Sequence, residues 1–299
     1  MAQKYGFELE TYGLQVEELQ QAIESVEGLE YYGHFPSYHG SRSLGLRCKE
    51  NGNGNLWVSE RDGSIDGDKG LDHEVISPIV EGREGIETVC RVINALRRAG
   101  ALINDNCGLH ITFGLENSHA RWNRFSAKKK AQVIIQIVEL LEFYKDELHH
   151  LLPERRNCDL SSHARTYCRL SSTRRDRDRL GLHHASATYG VQSMIDYERG
   201  ALNVESLFTK GIIEFRSLEM TFDTHRVRTF ALLLHKIVTF AIQRVNKQDY
   251  EPYMNYYREG KGLLDVINAG SDLKKAVARM ATKNLLQEFG VHLVTPEAV

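Results

Sequence analysis

The sequence is short of the residues that staple or break small folds. Five cysteines occur in 299 residues, an odd number, and no Cys-x-x-Cys pair is among them. That argues against a disulfide framework or a zinc ribbon and for a reducing compartment. Only five prolines occur, and there is no repeat and no low-complexity tract. No clear linker precedes about residue 246. Neither sign of charge dominates: 38 Lys+Arg stand against 40 Asp+Glu. Near-neutrality argues against a nucleic-acid or membrane surface over the whole protein, though not against a local patch. Long apolar runs are missing too. The best, from Phe230 to Ile242, is interrupted by His235 and Lys236 and falls short of the ~20 residues that span a bilayer. The opening MAQKYGFELE has no apolar signal region, so a soluble cytoplasmic protein is expected. Neither GxxxxGK[ST] nor GxGxxG is present. Any nucleotide must therefore be held without those glycine loops.

What is there suffices for a large core. Hydrophobic residues make up 41% and charged residues 26%, which excludes a disordered chain. A compact fold of this length buries roughly 75% of its unfolded surface. Alternation of Tyr5, Phe7 and Leu9 with Gly6, Glu8 and Glu10 predicts a strand with an apolar back and an acidic front. Spacing predicts helices over 16–29, 85–99, 126–152, 224–245 and 273–289, and strands over 44–49, 55–59, 71–77, 109–115, 201–207 and 211–218. The order suggests an α+β domain, an antiparallel sheet with helices packed on one face. It would span 1–246, with a helical C-terminal extension over 247–299 packed on the same domain.

Several polar residues fall on these strands. Glu8 and Glu10 would lie ~6.5 Å apart with both carboxylates on one face, an arrangement that attracts Mg²⁺ or Mn²⁺. A solvated strand face is the ordinary alternative. Asp62 sits in an Asp-Gly turn after a strand, as many aspartates do. Glu74 lies in a short apolar strand, where an unpaired carboxylate would be costly. His110 follows Cys107-Gly108 on a strand, where a lone histidine is more often hydrogen-bonded core than ligand. Glu214 and Arg216 share a strand face opposite Ile213 and Phe215. They read either as a surface ion pair or as a carboxylate with a phosphate-holding arginine.

Taken together, Phe7-x-x-Glu10 with Glu8, Trp57 to Asp62-Gly-Ser, Glu74-x-x-Ser-Pro, Cys107-Gly-x-His110, Asn203 and Ile213-Glu-Phe-Arg216 form a set. From about Lys4 to Ile242 the chain resembles the amidoligase family. That family belongs to the glutamine synthetase and glutamate–cysteine ligase superfamily of carboxylate–amine ligases. The resemblance implies a glutamine-synthetase-like catalytic fold that binds ATP and Mg²⁺ or Mn²⁺ on the concave sheet face. By position, it implies metal ligation by Glu8, Glu10, Asp62, Glu74, His110 and Glu214, and ATP-phosphate contact by His110 and Arg216. Glu214 and Arg216 would be the catalytic pair. Arg165-x-Tyr167 resembles the family's Arg-Tyr segment and implies a further nucleotide or substrate contact at Arg165. Two departures stand out: Thr112 where the family often has a second His, and Met220-Thr221 where it usually has Gly-Thr.

The activity so implied is ATP-dependent amide formation through an acyl phosphate, on small-molecule or peptide carboxylates and amines. A guanidino phosphotransferase of the same fold is the enzymatic rival. A different class rests on the segment from Arg155 to Arg179, where eight Arg face three Asp. Such a patch could contact nucleic-acid phosphates or bind a polyanionic substrate.

Overall fold

The computed structural model describes residues 2–36, 44–50, 56–65, 67, 71–116, 122–152, 202–204, 206–249 and 251–288. Its strands are β1 (Lys4–Tyr12), β2 (Leu29–Pro36), β3 (Leu44–Glu50), β4 (Leu56–Glu60), β5 (Asp72–Ile76), β6 (Val80–Glu81), β7 (Gly108–Gly114), β8 (Leu202–Asn203) and β9 (Ile212–Glu219). They form one open sheet in the order β2-β3-β4-β5-β1-β7-β9-β8, with β6 also on β1. Every pairing among them is antiparallel. β1 therefore lies in the middle, with β5 on one side and β7 then β9 on the other.

Alternation does the sorting. Tyr5, Phe7 and Leu9 are buried on one face of β1, and their cross-strand neighbours Ile111, Phe113, Ile213 and Phe215 are buried with them. Tyr5 meets Phe113 edge-on at 5.2 Å and Phe113 meets Phe215 at 5.5 Å. Burying each such side chain contributes about 1.5–3 kcal/mol. The helices share this core. They are α1 (Val16–Glu24), α2 (Gly82–Ala99), α3 (Ala127–Phe143), α4 (Lys145–His149), α5 (Leu207–Lys210), α6 (Thr224–Lys247), α7 (Tyr253–Arg258), α8 (Leu263–Val266) and α9 (Ser271–Glu288). In α2 the buried Ile86, Val89, Val92, Ile93 and Leu96 form its inner stripe, and left-handed Gly100 ends it. Asp223 caps α6 by accepting from His225 and Arg226 backbone N–H groups. Among the described residues no helix is long and apolar enough to cross a membrane.

Local patterns misled at five places, one of them β2, a strand the alternation did not predict. The helix expected over 16–29 stops at Glu24, because Gly28 turns left-handed (φ 88°) and starts β2. Val26 still reaches the core, which is why it kept the helical spacing. The helix over 126–152 is interrupted at Tyr144, whose ring stacks on Phe143 and whose hydroxyl donates to the Lys261 carbonyl. Ser126 does cap its start, accepting from Lys129 N–H. The strand over 201–207 shortens to β8, since Leu207 opens α5. Two-residue β6 was too short to read.

The later helices are tied to α6. Lys283 pairs with Asp223 at 2.7 Å, and Arg226 donates to Asn284. Arg244 is buried, donates to the Asp249 and Glu251 carbonyls, and lies 4.6 Å over the Tyr253 ring.

Candidate functional site: an acidic face with one histidine and one arginine

The positions of the central strands that face away from the apolar core bring the polar residues together. Register sets Glu10 opposite Glu74, Glu74 opposite Glu60, and Glu8 opposite His110. β9 lies on the far side of β7, with Glu214 opposite Thr112. A register shift between Leu109 and Ile111 brings Arg216 level with His110. The Ser-Pro end of the Glu74 motif has a structural task. Pro78 lacks an N–H, and Ser77 Oγ takes over pairing, accepting from Phe7 N–H and donating to the Pro78 carbonyl.

His110 is enclosed by carboxylates, not by aliphatic side chains. Its Nδ1 lies 2.8 Å from Glu8 Oε2 and 3.4 Å from Glu214 Oε1, and its Nε2 lies 3.4 Å from Glu10 Oε1. A carboxylate accepts, so Nδ1 carries the proton toward Glu8. Glu10 accepts from the Gly108 N–H. Glu214 accepts from Arg216 Nη1 at 2.9 Å on one oxygen and from Asn203 Nδ2 at 3.0 Å on the other. Asp62 is held by its own turn, accepting from Ser64 N–H at 2.8 Å and Ser64 Oγ at 2.9 Å.

The charges perturb one another strongly. Burial, with the negative charges of Glu8, Glu10 and Asp62, pushes Glu74 up to about 9. Burial would raise Glu8 as well, but the His110 hydrogen bond and charge, with Arg216, hold it below the usual carboxylate range. Glu214 is raised by burial and by Glu8, against Arg216, His110 and Asn203. Arg216 is raised: burial opposes its charge, and Glu214 and Glu8 outweigh that.

Two groups of side chains converge closely enough to grip an ion: Glu8, Glu74 and His110, and Glu10, Asp62 and Glu74. Within each, the ligand atoms lie within 4.8 Å of one another, and Glu74 belongs to both. An oxygen-rich set with one imidazole suits Mg²⁺ or Mn²⁺. Glu74 supplies the test of fit, because a dication would offset the carboxylate repulsion that, after burial, raises it.

Of the residues expected from sequence, Glu8, Glu10, Asp62, Glu74 and His110 meet in these groups. Glu214 adjoins His110 and Arg216 pairs with Glu214, but neither belongs to either group. Arg165, Tyr167 and the basic segment 155–179 lie outside the described residues. Glu60 was missed. It is 7% exposed and pairs across the strands with Glu74, yet the strand read from sequence ended at Ser59, one residue short. Its alternation with Trp57 and Ser59, both buried on the core face, was the available signal.

No curated protein matches this chain. The family model described as "Putative amidoligase enzyme" matches residues 1–238. That match covers most of the 299 residues, and the chain belongs to the amidoligase family.

Proposed function

We propose that the protein is an ATP-dependent carboxylate–amine ligase with a glutamine-synthetase-like catalytic fold. The observation that carries the reading is the pair of ligand groups sharing Glu74, with Arg216 beside them on the same sheet face. Glu8, Glu10, Asp62, Glu74 and His110 would hold Mg²⁺ or Mn²⁺, and Glu214 is the remaining carboxylate within reach of His110. Divalent cations bound there supply charge neutralisation for the ATP phosphates and the γ-phosphoryl in flight.

The chain's own residues do the rest. Glu214 and Asn203 fix where the Arg216 guanidinium stands, and Arg216 contacts the transferring phosphoryl oxygens. A carboxylate is a poor electrophile. Transfer of the γ-phosphoryl from ATP to its oxygen gives an acyl phosphate and ADP. The amine nitrogen then attacks the carbonyl carbon, the C–N bond forms, phosphate leaves with its C–O bond, and the amine loses a proton. Arg165 belongs to the same reading as a nucleotide or substrate contact, as does a reducing cytoplasmic setting for the free Cys90 and Cys107.

The test is ADP release with Mg²⁺ across a panel of amino acids, γ-linked peptides and cell-wall peptides, with mass spectrometry of the products. Hydroxylamine should trap a hydroxamate. Phosphorylation of a guanidino compound without any hydroxamate would instead make the protein a guanidino phosphotransferase.

A further inference from the structure

Gly108 is crowded by its surroundings and not constrained by its backbone. Gly13, Gly28, Gly82, Gly100, Gly211 and Gly260 have positive φ; Gly108, the first residue of β7, does not. Its extended backbone would admit any side chain. The obstruction comes from the carboxylate cluster. A Cβ at 108 would lie 2.8 Å from His110 Nε2 and 3.2 Å from each carboxylate oxygen of Glu10. The Gly108 N–H, meanwhile, donates to Glu10 Oε2.

We propose that Gly108 is a positioning residue for the cation site, an inference that rests on the metal-binding reading of the cluster. Its bare Cα lets the His110 ring and the Glu10 carboxylate close over the strand. Its N–H occupies one Glu10 oxygen and leaves Oε1, 3.4 Å from His110 Nε2, to serve a cation. Gly6, also on the acidic face, makes the comparison: a Cβ there would meet only Thr112, at 3.4 Å or more, which is ordinary contact.

The experiment titrates Mn²⁺ alone into the full chain by calorimetry, for wild type, Gly108→Ala and Gly6→Ala. Gly6→Ala should bind as wild type does. Gly108→Ala should bind about 10–100-fold more weakly, the scale for losing a partner that orients a ligand, with an unchanged melting temperature in EDTA. If wild type takes up no Mn²⁺, the metal reading itself fails. If wild type binds and Gly108→Ala binds equally, the positioning role alone is overturned. Early melting of Gly108→Ala in EDTA overturns it too, by making the glycine a folding requirement. A second readout leaves Gly108 in place. In ¹⁵N-labelled protein its amide proton should resonate downfield, as a charge-assisted bond requires, and should move upfield in Glu10→Gln. An amide resonance unmoved by Glu10→Gln counts against the proposal.

Discussion

His110 Nδ1 stands 2.8 Å from Glu8 Oε2 on the adjacent strand, so the histidine binds to the acidic pair instead of the core. With Nε2 facing Glu10, the ring spans both β1 carboxylates. Removing it takes away a candidate ligand and the group that holds those carboxylates in place. His110→Ala should weaken Mn²⁺ binding about 10–100-fold in calorimetric titration. Undiminished affinity would return His110 to a structural role.

Glu74 sets a pH dependence whose sign can be worked out. Its folded value of about 9 lies above the ordinary 4.5. Between those values the folded chain keeps a proton that the unfolded chain has lost. Without cations this carboxyl's contribution to stability therefore declines as pH rises through that window. A dication must displace the same proton, so its affinity should rise with pH until about 9. Melts at several pH values, in EDTA and in Mg²⁺, should show a cation-induced rise in Tm that grows with pH. A pH-independent rise would contradict the assignment. In Glu74→Gln the pH dependence of that rise should largely vanish.

Arg216 is where the ligase reading is most exposed. Arg216→Ala should slow ADP release with the cognate acid and amine by roughly 10²–10³-fold, the scale for removing one preorganised donor. Arg216→Lys should rescue poorly, since an ammonium cannot make a planar two-point contact with phosphate oxygens. Thermal melts should change little, because Glu214 keeps its bond from Asn203. Normal turnover in a normally melting Arg216→Ala would remove the residue from the mechanism.

Arg244 provides a contrast in the helix layer. Its guanidinium is buried, donates to the Asp249 and Glu251 carbonyls and stacks on Tyr253. Arg244→Ala removes both charged hydrogen bonds and the contact with the Tyr253 ring, at a cost of about 1–3 kcal/mol. Denaturant unfolding should show that loss, while Mn²⁺ affinity of the folded protein stays as in wild type. Weakened Mn²⁺ binding would couple this helix to the acidic face.

What the sequence determined was which residues could share a face. Period-two alternation around Glu8 and Glu10, and around Glu214 and Arg216, assigned them opposite the apolar Phe7, Leu9, Ile213 and Phe215, because a strand has only two sides. The same local rule located α2 and α6 from their apolar stripes. It gave no access to neighbours. That β1 lies between β5 and β7 depends on pairings across 60 to 110 residues of chain, and only those pairings bring Glu74 and His110 to Glu8. Glu60 stands opposite Glu74 because pairing with β5 extends β4 past Ser59. Gly28 and Tyr144 ended or interrupted helices whose spacing continued, the first through a left-handed turn and the second through contacts with distant side chains. The protonation of Glu74 was the least legible of all. It arises from burial and from three carboxylates, two on β1 and one in the turn after β4, and those charges meet only once the sheet has formed.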